Sequence, residues 1–100
     1  MNPPPITFQR LVQQDMREIL RYYSKEASEQ VADRFFQTFF LVVEKAANNP
    51  THFHAITQIL RRADLPDFPY HFLYKSTTAG IRVLVLRHDK RNPTHGLKRQ

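Results

Sequence analysis

Three basic side chains in the second half of the chain carry the chemistry that metal-free cleavage of RNA requires. Such cleavage needs a base for the 2′-hydroxyl, an acid for the leaving oxygen and cations on the phosphate. His88 could act as base or acid, because an unperturbed imidazole titrates near neutral pH. Arg62 and Arg82 could hold the phosphate, and alternation along a strand predicts that Arg82 and His88 share a face. The simpler interpretation is that His88 only ends a strand and that Arg82 is a solvated charge.

Metal and cofactor chemistry is not predicted. The chain has no cysteine, which excludes disulfides, thiolate metal sites and thiol nucleophiles and fits a reducing compartment. His52 and His54 flank one residue on a predicted loop, and no third ligand lies near them in the sequence. We therefore expect neither a metal nor another cofactor.

The positive charge is confined to the second half of the chain. Residues 1–50 hold six basic and six acidic side chains, whereas residues 51–100 hold nine basic and three acidic ones and thus the whole net charge of +6. All five histidines also lie in the second half. Such asymmetry attracts an anionic partner, which could be RNA, DNA or an acidic protein segment. A merely solubilising surface is the alternative.

Two helices are predicted in the first half. Apolar residues recur at helical spacing from Val12 to Tyr23, and again from Ala32 to Ala46. Ser28 is the predicted N-cap of the second helix, which Asn49 and Pro50 end. The short connection favours an antiparallel helical hairpin. Asp15, Glu18 and Glu44 are expected on a solvated helix face.

After Pro50 the apolar period changes to two, which is typical of strands. Residues 59–65, 68–75 and 81–88 are predicted strands joined by short turns, which favours an antiparallel meander. A short edge strand is expected over residues 4–8, and a basic, mobile tail over residues 91–100. Aromatic side chains from the second helix and the middle strand are expected in the core: Phe35, Phe36, Phe39, Tyr70, Phe72 and Tyr74.

The predicted architecture is a single α+β domain over residues 1–100, with the order β-α-α-β-β-β. Two helices can cover only one face of the small, mainly antiparallel sheet, so we expect the other face to be open, with arginines and a histidine beside it. No segment is apolar and long enough to span a membrane, and no secretory signal precedes the first helix. We expect a soluble, cytoplasmic protein.

Four features taken together resemble the RelE/ParE toxin family. Residues 62–74 resemble its arginine-bearing strand followed by a Phe-Pro-Tyr turn and a strand that ends in tyrosine. Residues 81–93 are similar to its last strand and His-x-x-Arg-x-Pro tail. Asp15 with Ile19 and a Tyr-Tyr pair resembles the pattern of its first helix, and Asn49-Pro50 lies where its second helix ends. The resemblance covers residues 6–93, although Gln9 replaces an expected serine or threonine.

This resemblance implies the toxin of a type II toxin–antitoxin pair, which inhibits growth and is neutralised by an acidic antitoxin. Members close to ParE act on DNA gyrase without cutting nucleic acid, and members close to RelE cut mRNA on the ribosome. The Phe-Pro-Tyr and His-x-x-Arg-x-Pro features favour the ParE branch, while a nucleic-acid-binding module without toxicity is a third alternative. Residues expected to bind the target or the antitoxin are Arg61, Arg62, Arg87, His88, Lys90 and Arg91.

Overall fold

Two helices pack on one face of a five-stranded mixed sheet. The computed structural model describes residues 4–99. In chain order the elements are β1 (Ile6–Phe8), α1 (Val12–Glu26), α2 (Glu29–Asn48), β2 (His54–Ala55), β3 (Arg61–Asp64), β4 (Tyr70–Ser76) and β5 (Ile81–His88). The predicted α+β class, N-terminal strand and helical hairpin are confirmed. The two-residue strand β2 lies where the sequence predicted only a loop.

The two helices differ at their starts, because only α2 has a side-chain cap. The Ser28 hydroxyl accepts a hydrogen bond from the Val31 amide at 3.1 Å, which confirms the predicted cap of α2. At α1 the Oε1 atom of Gln9 accepts from the Leu11 amide at 2.7 Å. This amide belongs to Leu11, the residue before the helix, so Gln9 does not cap the first turn of α1 as the expected serine or threonine would.

The sheet is antiparallel except at one edge. The strand order is β1-β5-β4-β3-β2, and β1 runs parallel to β5 while the other pairs are antiparallel. Strand β5 has the predicted bounds, whereas β3 is shorter than the predicted residues 59–65. Strand β1 pairs only with the first three residues of β5, so the rest of that side of β5 lacks a strand neighbour.

A β-bulge in β5 reverses the side-chain alternation. Leu73 pairs with Val85 but Tyr74 pairs with Val83, which leaves Leu84 as an extra residue. Ile81 and Val83 before the bulge and Leu86 after it all face the helices. The prediction that Arg82 and His88 share a face is therefore wrong, because it assumed strict alternation.

The core lies between the sheet and the helices. Phe35 and Phe39 of α2 and Phe72 and Tyr74 of β4 are fully buried there, and Tyr70 packs against them. The Tyr74 hydroxyl donates to the Pro50 carbonyl at 2.8 Å. Phe36 was also predicted in the core but is 44% exposed. Its neighbour Phe35 occupies the inward position of that helical turn.

The sheet face away from the helices, here called the reverse face, is not open as predicted. His71 and Leu73 of β4 are each 1% exposed there, and Val85 of β5 is fully buried. Residues 89–99, here called the C-terminal segment, lie over this part of the face. A Cβ added to Gly96 would stand 2.7 Å from the Val85 Cβ, so the segment's backbone rests on the sheet. The prediction failed because it considered only regular elements as possible cover.

Neither helix within residues 4–99 is long and apolar enough to cross a membrane.

Candidate functional site

The three residues proposed for RNA cleavage do not come together. Arg82 lies on the reverse face and His88 on the helix side, six residues apart along one strand, or ~20 Å at ~3.3 Å per residue. Arg62 is ion-paired to Asp64 at 2.9 Å and to Asp89 at 3.5 Å. A phosphate could not contact all three at once.

His88 lies at the end of β5 in a small pocket. Its ring packs edge-on against Tyr70 with centroids 5.0 Å apart, and its Nδ1 accepts from the Lys90 amide at 3.0 Å. The pocket has a volume of about 210 Å³ and is also lined by Tyr22, Glu18 and Arg91. His88 is thus held by local contacts, and the cations that line its pocket are Arg87 and Arg91 rather than Arg82.

The reverse face carries a polar network, here called the His71 network, in which His71 and Arg87 are buried while Arg62, Asp64 and Asp89 reach solvent. The Arg87 Nε donates to the His71 Nε2 at 2.9 Å, and the His71 Nδ1 lies 2.8 Å from Asp89 Oδ1. Since Nε2 accepts, Nδ1 carries the proton and donates to Asp89. The network fixes one neutral tautomer of His71.

Arg87 connects this network to the C-terminal segment. Its Nη1 donates to the carbonyls of Pro93 at 2.9 Å and of His95 at 2.6 Å. The side chain is only 6% exposed, and burial lowers the pKa of Arg87, with a smaller effect from Arg62. Arg87 therefore holds the segment on the sheet, while it also lines the pocket of His88.

Burial is also the main cause that lowers the pKa of His71. The positive charges of Arg62 and Arg87 lower it further, while the hydrogen bond and negative charge of Asp89 oppose the shift. Neutral His71 is consistent with its hydrogen bonds, because a second ring proton would point at the Arg87 guanidinium. The network therefore depends on deprotonated Nε2.

Asp64, His71 and Asp89 place one potential metal-ligand atom each within 4.8 Å of one another. However, Arg62 already binds Asp64 and Asp89, and the His71 Nδ1 donates to Asp89. A cation there would have to displace Arg62 and remove the Nδ1 proton. We interpret the cluster as an ion-pair network.

Asp15 and Arg99 form hydrogen bonds with backbone groups on the side of β5 that has no strand neighbour. Asp15 accepts from the Leu86 amide at 3.1 Å and from Arg99 at 2.7 Å, and Arg99 also donates to the Leu84 carbonyl at 3.2 Å. Together they satisfy backbone groups of β5 beyond the end of β1. The expectation that Asp15 lies on a solvated face is therefore wrong, since it is largely buried in an ion pair with Arg99 of the predicted basic tail.

The remaining predicted binding residues divide into two groups. Arg61 points to the opposite side of β3 from Arg62 and donates to the Phe53 carbonyl at 2.7 Å, so it supports the connection between α2 and β2. Lys90 and Arg91 are exposed after the end of β5. These two are the fully exposed residues of the predicted set, whereas Arg61, Arg62 and His88 are half-buried.

An apolar groove between the start of α1, β1 and α2 escaped the sequence analysis. It has a volume of about 320 Å³, and its walls include Phe8, Met16, Phe36 and Phe40. The three phenylalanines, Phe8, Phe36 and Phe40, are each more than one-third exposed. The sequence signal for this groove is the set of neighbouring phenylalanines in α2. They cover a wider arc of the helix than one buried stripe, so some of them must be exposed.

A helical hairpin packed on one face of a small mixed sheet is the architecture expected from the resemblance to the RelE/ParE family. Residues 6–93 match the family model of the ParE toxin of the type II toxin–antitoxin system parDE. The chain belongs to the ParE toxin family, as the resemblance over the same residues implied.

A relative agrees with this assignment, and a solved structure has a similar fold. Toxin ParE2 of Mycobacterium tuberculosis is 30% identical over 83 residues, covering 82% of this chain and 78% of that protein, in two strains. The fold is similar to a chain of the structure described as the chromosomal ParDE TA system from P. aeruginosa. The TM-score is 0.70 at 15% identity, covering 86% of this chain and 96% of that one.

Proposed function

We propose that this toxin inhibits DNA gyrase by binding it, without cleaving nucleic acid. Membership of the ParE family supports the proposal. The observation that carries it is the separation of the cleavage residues, because Arg82 and His88 lie on opposite faces and Arg62 is neutralised by two carboxylates. A protein that acts by binding needs no such assembly. We place this activity in the cytoplasm, where gyrase works.

One observation favours ribosome-dependent mRNA cleavage as a second candidate. His88 shares its pocket with Glu18 and Arg91, so an acid–base group and a cation lie together even though Arg82 is remote. This candidate requires His88 to be essential, whereas inhibition by binding does not.

A test of both candidates uses the purified toxin with gyrase and, separately, with mRNA-programmed ribosomes. We expect plasmid supercoiling to stop as toxin is added, while the mRNA stays intact. The His88→Ala variant should inhibit supercoiling as wild type does. Full supercoiling together with cut mRNA, abolished by His88→Ala, would refute gyrase inhibition and support the endonuclease.

We further propose that the apolar groove receives apolar side chains of an acidic antitoxin. The exposed phenylalanines would be covered by such a segment, and Arg10 at the rim of the groove suits a partner rich in carboxylates. The family description, a toxin of a toxin–antitoxin system, supports an antitoxin as the occupant.

The antitoxin proposal is tested by coexpression with an acidic protein encoded by the neighbouring reading frame. Phe36→Asp should reduce copurification at least ~10-fold, because it places a charge in the groove. Tyr22→Asp, at a side chain that is also exposed, is the matched control and should copurify normally. Equal copurification of both variants would show that the antitoxin binds elsewhere.

A further inference from the structure

One face of α1 carries a row of exposed cations, here called the basic stripe. Arg17, Arg21 and Lys25 follow one another at intervals of four residues, and all three are exposed. Side chains four residues apart lie on the same face of an α-helix, one turn from each other. At a rise of ~1.5 Å per residue, the stripe extends over ~12 Å of the helix. The polar side chain of Gln14 continues the same face toward the start of α1.

The acidic side chains of α1 point away from the basic stripe or flank it. Asp15 turns toward β5, where it forms the ion pair described above. Glu18 lines the His88 pocket on one flank of the stripe. Glu26 follows Arg21 by five residues, which places it ~140° around the helix. Although residues 1–50 have zero net charge, the charges of α1 are therefore separated around the helix, which a sum along the chain cannot reveal.

The cations of the basic stripe are not neutralised by ion pairs within the chain. Among residues 4–99, no carboxylate lies within the 4.0 Å of an ion pair from Arg17, Arg21 or Lys25. Like charges four residues apart on a helix repel each other weakly, and the stripe contains two such pairs in succession. An anion that contacted the stripe would offset this repulsion. The surface is therefore complementary to a negatively charged partner.

We propose that the basic stripe binds the phosphodiester backbone of duplex DNA. Arginine, lysine and glutamine side chains are among the groups that contact DNA phosphates and fix a protein's position on the duplex. Because one helical turn of ~5.4 Å separates successive cations, a single phosphate ion could not contact all three. A chain of phosphates could, and the contact would release counterions condensed on the duplex.

The side chains on and beside the stripe favour a duplex over other polyanions. Single-stranded nucleic acid is held by stacking on aromatic rings. The exposed ring of Tyr22 lies ~100° around the helix from Arg21 and lines the His88 pocket instead. An acidic peptide needs apolar anchors, whereas the three cations and Gln14 offer none. Backbone phosphates require neither an aromatic nor an apolar contact.

Contact with DNA goes beyond gyrase inhibition, although it would hold the toxin close to a target that acts on duplex DNA. Only this consequence rests on the proposed function. The contact itself is measured without gyrase, so either proposal can fail while the other stands.

The test is a binding titration at several salt concentrations. The purified full-length protein is titrated into a fluorescein-labelled duplex of 20 base pairs and mixed sequence, and anisotropy is recorded between 50 and 200 mM salt. We expect binding that weakens about 40-fold over this range, which is a logarithmic salt slope of about −2.7, as three phosphate contacts require.

Single substitutions test whether the basic stripe makes the contact. Arg17→Gln, Arg21→Gln and Lys25→Gln should each weaken binding about fivefold at 50 mM salt and reduce the slope by about 1. Lys45→Gln is the matched control, because Lys45 is an exposed lysine in the last turn of α2, as Lys25 is in the last turn of α1. It should change binding less than twofold. Circular dichroism of each variant confirms that the fold is retained.

Five results would overturn the proposal. Two of them are the absence of duplex binding at 50 mM salt and equal losses of binding in Lys25→Gln and Lys45→Gln. The others are tighter binding of oligo-dT, of duplex RNA or of polyglutamate than of duplex DNA. These last results would assign the stripe to single strands, to RNA or to an acidic protein segment.

Discussion

The two faces of the sheet are covered by different means. The helix side is an apolar layer of phenylalanine and aliphatic side chains contributed by both helices and four of the strands. The reverse face is covered by an irregular segment that Arg87 and Arg99 hold through backbone carbonyls, with Gly96 against Val85. The first face depends on burying many apolar groups, whereas the second depends on a few specific polar contacts. Substitutions should therefore affect stability through different mechanisms on the two faces.

The largest expected effect is on the helix side. Phe35→Ala should lower the free energy of unfolding by about 4 kcal/mol, because it leaves a cavity at a fully buried ring. Urea denaturation measures this loss. Phe36→Ala at the next, exposed position is the control, and we expect less than about 1 kcal/mol. Similar losses for the two variants would contradict the assignment of the inward face of α2.

The next effect concerns the polar cover of the reverse face. Arg87→Met should lower the free energy of unfolding by about 3 kcal/mol, since it leaves two carbonyls and the His71 Nε2 without a donor. Limited trypsin digestion should also cut the C-terminal segment faster than in wild type. Arg17→Met, at an exposed position of α1 outside the C-terminal segment, should change neither stability nor the cleavage of that segment. If trypsin cut the C-terminal segment of Arg87→Met as slowly as that of wild type, other contacts would have to hold the segment.

Acid should weaken the reverse face through His71. A pKa lower in the folded than in the unfolded chain means that the unfolded chain binds more protons, so stability falls as pH drops below about 6.5. One proton limits the slope to about 1.4 kcal/mol per pH unit. Urea denaturation from pH 7.5 to 5.0 should show a shallower pH dependence in His71→Asn than in wild type. The exposed-site variant His52→Asn should match wild type, and an unchanged slope in His71→Asn would contradict the neutral tautomer.

The smallest expected effect concerns the ion pair that links Asp15 of α1 to Arg99 of the C-terminal segment. Asp15→Asn removes the charge that joins α1 to Arg99 but keeps an oxygen for the Leu86 amide. We expect a loss of about 1 kcal/mol in thermal or urea unfolding. Asp33→Asn, on an exposed part of α2, should have no measurable effect. An Asp15→Asn variant as stable as wild type would show that the ion pair makes no net contribution to the free energy of unfolding.

Periodicity made the helix side predictable from the sequence. Apolar spacing located both helices and β5, Ser28 marked the start of α2, and alternation placed Tyr70, Phe72 and Tyr74 toward the core. These signals are local, because each depends on residues within one element. Phe36 was misplaced because neighbouring phenylalanines cannot all face inward on one helix.

The reverse face could not be predicted in the same way. The bulge at Leu84 leaves no sequence pattern, yet it moves Arg82 and His88 to opposite faces. The Asp15–Arg99 pair joins residues separated by 84 positions, and Arg87 binds carbonyls of a segment without regular structure. Such contacts depend on tertiary geometry. The candidate site was consequently predicted by residue type but not by arrangement.

The central claim, inhibition of gyrase by binding, is tested most directly in growing bacteria. The toxin is expressed alone from an inducible promoter, and incorporation of labelled thymidine and labelled methionine is followed over the first minutes. The account predicts that DNA synthesis falls first while translation continues, and that His88→Ala arrests growth as wild type does. Immediate loss of methionine incorporation with intact DNA synthesis, abolished by His88→Ala, would contradict it.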